Sequence, residues 1–232
     1  MKNIYLLPTL LAEGSSADVL PVGLVDRIQS LDIFFVENIK SARRFITALK
    51  IGKVIDELRF ILLDKDSSFE EVYEQMLALD GDAGVLSEAG CPGIADPGSM
   101  AVEVAHQLSY KVIPMVGPSS IFLALMASGF NGQSFAFNGY LPIDKKERNQ
   151  KIKELDRLVF STGQTQIFIE TPYRNIQLFE ALLEYCHPST KLHLSVNLTA
   201  ADAFSVTKSI SAWKSQKTPE MHKVPAIFCL GR

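Results

Sequence analysis

A glycine- and proline-rich segment is the part of this chain best suited to bind a ligand. Residues 87–99, Ser-Glu-Ala-Gly-Cys-Pro-Gly-Ile-Ala-Asp-Pro-Gly-Ser, follow the apolar run 83–86 and precede a helical pattern. Glycine permits positive φ and a close approach of backbone to a ligand, and proline stiffens the remainder of the loop. Ligands of open α/β sheets bind at the carboxyl ends of strands. A plain surface turn is the alternative, but a loop this long and constrained is not the simplest connection.

Two further segments carry groups that can contact a ligand. Residues 116–121, Val-Gly-Pro-Ser-Ser-Ile, open an apolar helix, where amide groups can hold a carboxylate or an adenine acceptor unless the serines only cap the helix. Residues 168–175, Phe-Ile-Glu-Thr-Pro-Tyr-Arg-Asn, place an acid, an aromatic ring and an arginine at one turn. Taken singly, Glu170 is better explained as a helix-start acid and Arg174 as a solvated surface charge.

Composition and missing motifs exclude several classes of protein. The 232 residues carry a net charge of −3, whereas a dedicated nucleic-acid binder usually shows a basic surplus, so any RNA contact needs a local patch. No GxGxxG, GxxxxGK[ST], HExxH or GxSxG motif occurs, and the three cysteines and four histidines are scattered, so we expect no metal site. The apolar runs are too short for a signal peptide or a membrane helix, and we expect a cytoplasmic protein.

Strand and helix patterns alternate along the first half of the chain. Short apolar strands are predicted at 4–7, 33–36, 60–63, 83–86 and 112–113, and helices at 21–30, 41–49, 69–79 and 99–108. This alternation favours a mainly parallel sheet covered on both faces. Beyond residue 116 we predict helices at 121–128, 145–158 and 175–185, and strands at 134–138, 166–169, 192–196, 204–206 and 225–230. The final strands lack long helices between them, which predicts a second unit with a mixed sheet and a division into 1–115 and 116–232.

These motifs, in this order, resemble the tetrapyrrole methylase superfamily, and most closely its ribosomal RNA small subunit methyltransferase I branch. Residues 87–98 resemble the S-D-A-G-T-P-x-I-x-D-P-G stretch of that branch, and 117–120 its G-P-S/C-A element. Residues 127–130 and 135–142 resemble its S-G-L and F-x-F-x-G-F-L-P pieces, and 170–174, Glu-Thr-Pro-Tyr-Arg, its E-S-P-H-R. The resemblance covers most of the chain and is strongest between residues 84 and 175.

The resemblance implies a two-lobed α/β fold, with S-adenosylmethionine held in the cleft between the lobes, and a homodimer. It also implies which residues contact the cofactor, with Pro8 at the substrate mouth. The cofactor-contacting residues that it implies are Pro8, Ala89, Gly90, Pro92, Ile94, Ala95, Ser119, Ser120, Thr171, Pro172, Tyr173, Asn197, Leu198, Pro225 and Ala226.

The chain departs from the family's motifs mostly where the substrate is expected. The family's A-E-D-T-R is here Val-Glu-Asn-Ile-Lys at 36–40, its R-E-L-T-K is Val-Asn-Leu-Thr-Ala at 196–200, and its K-G-E is His-Lys-Val at 222–224. The opening P-T-P-I-G-N is also altered at 8–14, and the family's small C-terminal domain has no counterpart before Arg232. These differences predict a methyltransferase with a changed substrate or reduced activity.

Methyl transfer from a sulfonium needs alignment of the nucleophile, and a ribose hydroxyl also needs a base. The candidates for the acid or base are Glu37, Glu88 and Glu170, in that order, because Glu37 follows a buried strand where the family keeps an acid. Asp96 belongs to an Asp-Pro-Gly turn and is expected to be structural. Three functions stay open: an RNA ribose methyltransferase, a methyltransferase of a tetrapyrrole or other small molecule, and a cofactor-binding protein without catalysis.

The distribution of basic residues helps to distinguish these functions only where such residues form a continuous surface patch. The two clusters are Lys40, Arg43 and Arg44, and Lys145, Lys146 and Arg148. A positive patch at either cluster would favour an RNA substrate. A solvated helix face is the simpler interpretation of both.

Overall fold

The computed structural model describes residues 2–12, 15 and 19–232. The chain divides into two compact units, Met1–Ser119 and Ser120–Arg232. Residues 13, 14 and 16–18 lie outside the described residues, and 13 and 14 belong to the altered opening motif at 8–14.

The first unit is a parallel sheet with helices between its strands. Its elements in chain order are β1 (Asn3–Leu7), α1 (Leu24–Gln29), β2 (Ile33–Val36), α2 (Ile39–Ala48), a 3-10 turn (Ile55–Glu57), β3 (Arg59–Leu62), α3 (Phe69–Leu77), β4 (Ala83–Leu86), α4 (Gly98–Gln107) and β5 (Lys111–Pro114). The strand order is β3-β2-β4-β1-β5, and every pair in it is parallel. The predicted parallel sheet is therefore confirmed.

Two hydrophobic clusters cover the faces of this sheet, as expected for a sheet buried on both sides. Phe35, Val85 and Ala101 belong to the cluster that contains residues of α3 and α4, whereas Phe34 and Ile46 belong to the cluster that contains residues of α1 and α2. All four residues of β2 and of β4 are buried, so these central strands show continuous apolar runs rather than alternation. The ends of these strands are thereby held rigidly at one edge of the sheet.

Two helix starts differ from the predicted ones for local reasons. The helix predicted at 21–30 begins only at Leu24, because Gly23 has φ +88° and this left-handed conformation cannot continue a right-handed helix. The helix predicted at 41–49 begins two residues earlier, at Ile39, because the Asn38 side chain accepts a hydrogen bond from Ser41 N and caps it. Asn38 is the residue that follows Glu37, so this cap contributes to positioning the candidate base.

The second unit is a mixed sheet. Its elements are α5 (Ser120–Ser128), β6 (Phe135–Tyr140), α6 (Lys145–Thr162), β7 (Thr165–Ile169), α7 (Asn175–Tyr185), β8 (Lys191–Val196), β9 (Phe204–Ser209), α8 (Ile210–Lys214) and β10 (Ala226–Gly231). The strand order is β6-β7-β10-β8-β9, in which β6 and β7 are parallel and the other pairs are antiparallel. The predicted mixed sheet is confirmed.

The core of the second unit lies mainly on one face of its sheet. Helices α6, α7 and α8 bury residues such as Ile152, Phe179 and Trp213 against Phe168 and Phe228. Helix α5 covers the other face through Ala124 and Leu125. Within the described ranges, none of the helices is both long enough and apolar enough to cross a membrane.

Candidate functional site

The carboxyl ends of three adjacent strands bring the first-unit candidates together. Leu86 of β4 is in register with Leu7 of β1 and with Val36 of β2. The next residues in each strand direction are Ser87, Pro8 and Glu37, so these three follow neighbouring strands at the same level of the sheet. The amide of Glu37 continues the pairing by donating to Leu86 O at 3.4 Å. The sheet order therefore places Glu37 beside the beginning of the glycine-rich loop.

The loop at residues 87–97 has an unusual backbone that its own hydrogen bonds hold in place. Gly90, Gly93 and Ala95 all have positive φ, at 74°, 84° and 62°. Asp96 Oδ1 accepts hydrogen bonds from Gly93 N at 2.8 Å and from Gly98 N at 2.7 Å, in agreement with the structural role predicted for Asp96. A left-handed conformation is uncommon for alanine and is retained only where the surroundings enforce it.

This loop exposes some of the predicted cofactor residues and buries others. Ala89, Ala95 and Ile94 are exposed, with Ile94 at 44%. Gly90 and Pro92 are buried. A Cβ on Gly90 would lie 2.9 Å from Leu11 Cδ2 and 3.1 Å from Pro118 O. Gly90 thus allows the chain to pass closely under the loop.

Pro8 lies beneath the loop rather than at its surface. It is buried, and a Cβ on Gly117 would approach Pro8 Cβ to 2.1 Å, so only glycine fits at residue 117. The following residue, Thr9, donates its amide hydrogen to Gly90 O at 2.9 Å and joins β1 to the loop. Pro8 therefore supports the loop from within the first unit.

Glu37 is a half-buried carboxylate among other carboxylates. Its Oε2 accepts a hydrogen bond from Glu88 N at 3.2 Å, and its Oε1 makes none with the described part of the chain. Burial raises the pKa of Glu37 above its usual value, and the charges of Asp96 and Glu88 act in the same direction, whereas the hydrogen bond from Glu88 N lowers it. A carboxylate with a raised pKa and an available oxygen has the properties of a general base.

A cavity of about 310 Å³ opens beside the same edge of the sheet. Its polar lining includes Thr9, Ser41, Arg44, Ser87 and Glu88, and its apolar lining includes residues of α2. Glu88, which is exposed, lines this cavity, and Glu37 does not. Sequence reasoning missed Ser41 as a site residue and considered Arg44 only as part of a surface cluster. The only sequence signal for these two residues was that the predicted helix that carries them follows closely after Glu37.

In the second unit, the carboxyl ends of β7 and β8 meet the amino end of β10, because β10 runs antiparallel to both. This edge brings together the predicted residues Thr171, Pro172, Tyr173, Asn197, Leu198, Pro225 and Ala226. Asn197 N donates to Pro225 O at 2.9 Å, and Lys223 N donates to Pro172 O at 3.1 Å. Tyr173 is exposed, with Lys223 Nζ 5.8 Å from its ring centroid.

Glu170 and Arg174 form an ion pair that shapes the turn after β7. Glu170 Oε1 accepts from Arg174 Nε at 3.0 Å, from Arg174 Nη2 at 2.6 Å and from Thr171 N at 2.6 Å. The Glu170 side chain is only 1% exposed. This geometry favours a positioning role for Glu170, and the simpler interpretation of Arg174 as a solvated charge was wrong.

The two basic clusters do not form continuous patches. Arg43 forms an ion pair with Asp56, whereas Arg44 lines the cavity beside α2. In the second cluster Lys145 and Lys146 are exposed, but Arg148 is buried.

Ser119 and Ser120 lie at the beginning of α5, as expected. Within the described residues, no group of three or more His, Cys, Asp or Glu side chains could hold a metal ion.

Comparison with known proteins identifies similar sequences and a shared fold. The chain is 29% identical over 197 residues to the Ribosomal RNA small subunit methyltransferase I of Vibrio cholerae, covering 84% of this chain and 65% of that protein. The predicted resemblance is confirmed. The chain spans just under two thirds of the length of this relative. No family model matches the chain.

Solved structures show the same architecture at low sequence identity. The methyltransferase CobJ superposes with a TM-score of 0.63 at 14% identity, covering 99% of this chain and 93% of that chain. Uroporphyrin-III-C-methyltransferase from Thermus thermophilus superposes with a TM-score of 0.55 at 16% identity, covering 99% and 92%. The fold of this protein is therefore that of the tetrapyrrole methylases.

Proposed function

We propose that this protein is an S-adenosylmethionine-dependent methyltransferase that acts on a ribose hydroxyl of ribosomal RNA. The observation that carries the proposal is the edge of the first sheet, where a strained loop exposes Ala89, Ile94 and Ala95 beside the half-buried Glu37. The names of the sequence relatives support both the reaction and the substrate.

The loop at residues 87–97 fits the cofactor in shape and in chemistry. Its glycines at positive φ give the loop a backbone path without bulky side chains, and its exposed apolar side chains suit an adenosine or thioether surface. The second-unit residues Thr171, Pro172, Tyr173, Asn197, Leu198, Pro225 and Ala226 remain proposed contacts, as do Ser119 and Ser120. When bound, S-adenosylmethionine supplies a methyl group on a positively charged sulfur.

In this proposal Glu37 accepts the proton of the attacking hydroxyl. Its Oε2 is held by Glu88 N, which fixes the orientation of the carboxylate and directs Oε1 to the substrate. The raised pKa increases the basicity of Glu37 relative to an ordinary carboxylate. Glu88, as a lining residue of the adjoining cavity, orients the substrate beside it.

A methyltransferase of a small molecule is the second candidate. It is favoured by the net charge of −3 and by the separation of both basic clusters, in which Arg43 is paired and Arg148 is buried. Neither cluster offers the continuous positive surface that usually contacts a nucleic-acid backbone.

We also propose that the protein is the homodimer that the resemblance implies. Light scattering in solution, which measures the molar mass, tests this.

The first test is cofactor binding by thermal unfolding with S-adenosylmethionine and S-adenosylhomocysteine. A ligand that binds the native state alone stabilises it by about 2.7 kcal/mol at roughly a hundredfold excess over Kd. Gly90→Ala should lose most of this response, because its positive φ and the close Leu11 and Pro118 atoms force the loop to move. Gly81→Ala is the control, since nothing lies near its Cβ position.

The second test is transfer of a labelled methyl group. Small-subunit ribosomal RNA should accept the label at a ribose, where the product resists alkaline cleavage of the adjoining phosphodiester bond. Label on a tetrapyrrole but not on RNA would favour the second candidate. Cofactor binding without transfer to either would leave the non-catalytic alternative, and no thermal response in the wild type would contradict the proposal.

A further inference from the structure

Arg148 is a buried arginine without a counterion in the described part of the chain. The residue is 8% exposed, and its Nε is buried with no hydrogen-bond partner. No ion pair joins it to any described acidic residue. The nearby Asp144 carboxylate instead accepts hydrogen bonds from Lys146 N and Glu147 N and caps the helix. Nε is thus the nitrogen of this guanidinium that is buried without a partner, whereas buried charges in proteins are normally paired.

Helix geometry places Arg148 on the buried face of α6. Ile152, Leu155 and Val159 follow it at intervals of four, three and four residues, and all are buried. Arg148 occupies the amino end of this face, only a few residues after β6 ends at Tyr140. The arginine therefore lies at the carboxyl edge of the parallel pair β6 and β7.

The other two unsatisfied buried side-chain atoms of the described residues belong to this edge as well. They are the amide oxygens Oδ1 of Asn149, in the first turns of α6, and of Asn175, the first residue of α7. Because β6 and β7 are parallel, the helices that follow them begin at the same edge. Asn175 Nδ2 is already used, donating to Met221 O at 3.3 Å and to Val224 O at 2.7 Å.

These unsatisfied atoms describe the chemistry of a missing partner. A cationic guanidinium requires an anion, and its planar donor set matches phosphate. Two amide oxygens require hydrogen-bond donors, such as hydroxyl groups. Ordered water can satisfy the amides, but it does not neutralise the charge of Arg148. A sugar phosphate carries both an anion and hydroxyl donors.

We propose that the carboxyl edge of β6 and β7 binds the sugar-phosphate part of a ligand, with Arg148 contacting the phosphate. The proposal goes beyond methyl transfer, because binding here requires neither the cofactor nor turnover.

The test is thermal unfolding with ribose 5-phosphate, at an ionic strength held constant with sodium chloride. The wild-type midpoint should rise with ligand concentration and then level off. Arg148→Met should abolish this rise while keeping or raising the ligand-free midpoint, because replacing an unpaired buried charge with an apolar side chain removes a cost. Lys146→Met, an exposed cation two residues away, should respond like the wild type.

Four results would overturn the proposal. The first is an unchanged response in Arg148→Met, and the second is the absence of a response in the wild type. The third is a ligand-free Arg148→Met protein that is unfolded or has a lower midpoint, because Arg148 would then be held by the fold itself. The fourth is ribose stabilising as well as ribose 5-phosphate does, which would exclude the phosphate contact. Arg148→Lys should bind more weakly than the wild type, since it keeps the charge without the planar donor set.

Discussion

Glu37 is held at the edge of the first sheet at a cost to the fold. Its carboxylate is half-buried, and Asp96 and Glu88 lie close enough to raise its pKa further. A group whose pKa is higher in the native state than in the unfolded state favours folding only when it is protonated. The free energy of unfolding therefore falls as pH rises from the ordinary glutamate pKa through the raised native pKa. Such a cost is typical of active-site groups.

Glu37→Gln is expected to raise the free energy of unfolding at neutral pH and to lower methyl transfer. The amide oxygen of glutamine still accepts the hydrogen bond from Glu88 N, while the unfavourable charge is removed. Loss of a general base lowers the rate by about 10²–10⁴-fold. Denaturant unfolding at pH 7 and pH 4 measures the stability, and the gain should shrink at the lower pH. Glu103→Gln, an exposed acid on α4, is the control. A destabilised Glu37→Gln protein would contradict this account.

Strands β8 and β9 carry a buried chain of hydrogen-bonded polar side chains centred on His193. Thr207 Oγ1 donates to Ser128 O at 2.9 Å, so it accepts from His193 Nδ1–H at 2.8 Å. His193 Nε2 then accepts from the Ser195 hydroxyl at 2.7 Å. The chain of hydrogen bonds thus selects one neutral tautomer, and burial lowers the pKa of His193 from 6.5 to about 4. The hydrogen bonds and the burial in β8 and β9 therefore favour a neutral imidazole at His193 over a protonated one.

The second unit should lose stability in mild acid because of His193. Between pH 6.5 and about 4 the unfolded chain binds a proton that the native state does not, so stability falls as pH falls through this window. The full difference is about 3 kcal/mol from the relation between pKa and free energy. Denaturant unfolding of the wild type and of His193→Gln at pH 7 and pH 4.5 tests this. An equal acid sensitivity in both proteins would exclude His193 as its cause.

At the scale of the whole molecule, each unit has its own hydrophobic core. Two clusters fill the first unit and two fill the second. The cysteines are distributed between the units, with Cys91 in the first and Cys186 and Cys229 in the second. Burial raises the pKa of all three thiols, that of Cys229 to about 12. The thiols can therefore report on each unit separately.

Thiol labelling of the native protein should modify Cys91 alone, and slowly. Cys91 is partly exposed, but its pKa is raised and its Sγ lies 3.4 Å from Pro118 O as a donor. Cys186 and Cys229 should react only after the second unit unfolds. Mass spectrometry counts the labels over time, and Cys91→Ser should abolish native labelling. Rapid native reaction at Cys229 would show that the core of the second unit opens readily.

Much of this protein could be predicted from its sequence because the relevant signals are local. The alternation of strands and helices, the parallel first sheet and the mixed second sheet follow from periodicity over short windows. The loop at residues 87–99 was recognisable because glycine and proline restrict the backbone wherever they occur. The helix predicted from residue 21 began too early, because the left-handed conformation of Gly23 is not visible in an apolar pattern.

Only the tertiary structure decided which of these residues meet. The strand order β3-β2-β4-β1-β5 places Glu37 beside Glu88, 51 residues apart in sequence, and no local signal encodes that neighbourhood. The Glu170–Arg174 pair is close in sequence, and what the tertiary structure adds is the burial of the Glu170 side chain. The sequence placed Arg148 in a surface cluster, whereas the packing of α6 buries it, and no described acidic residue forms an ion pair with it. Burial and charge pairing depend on the whole fold, and they determine what these side chains can do.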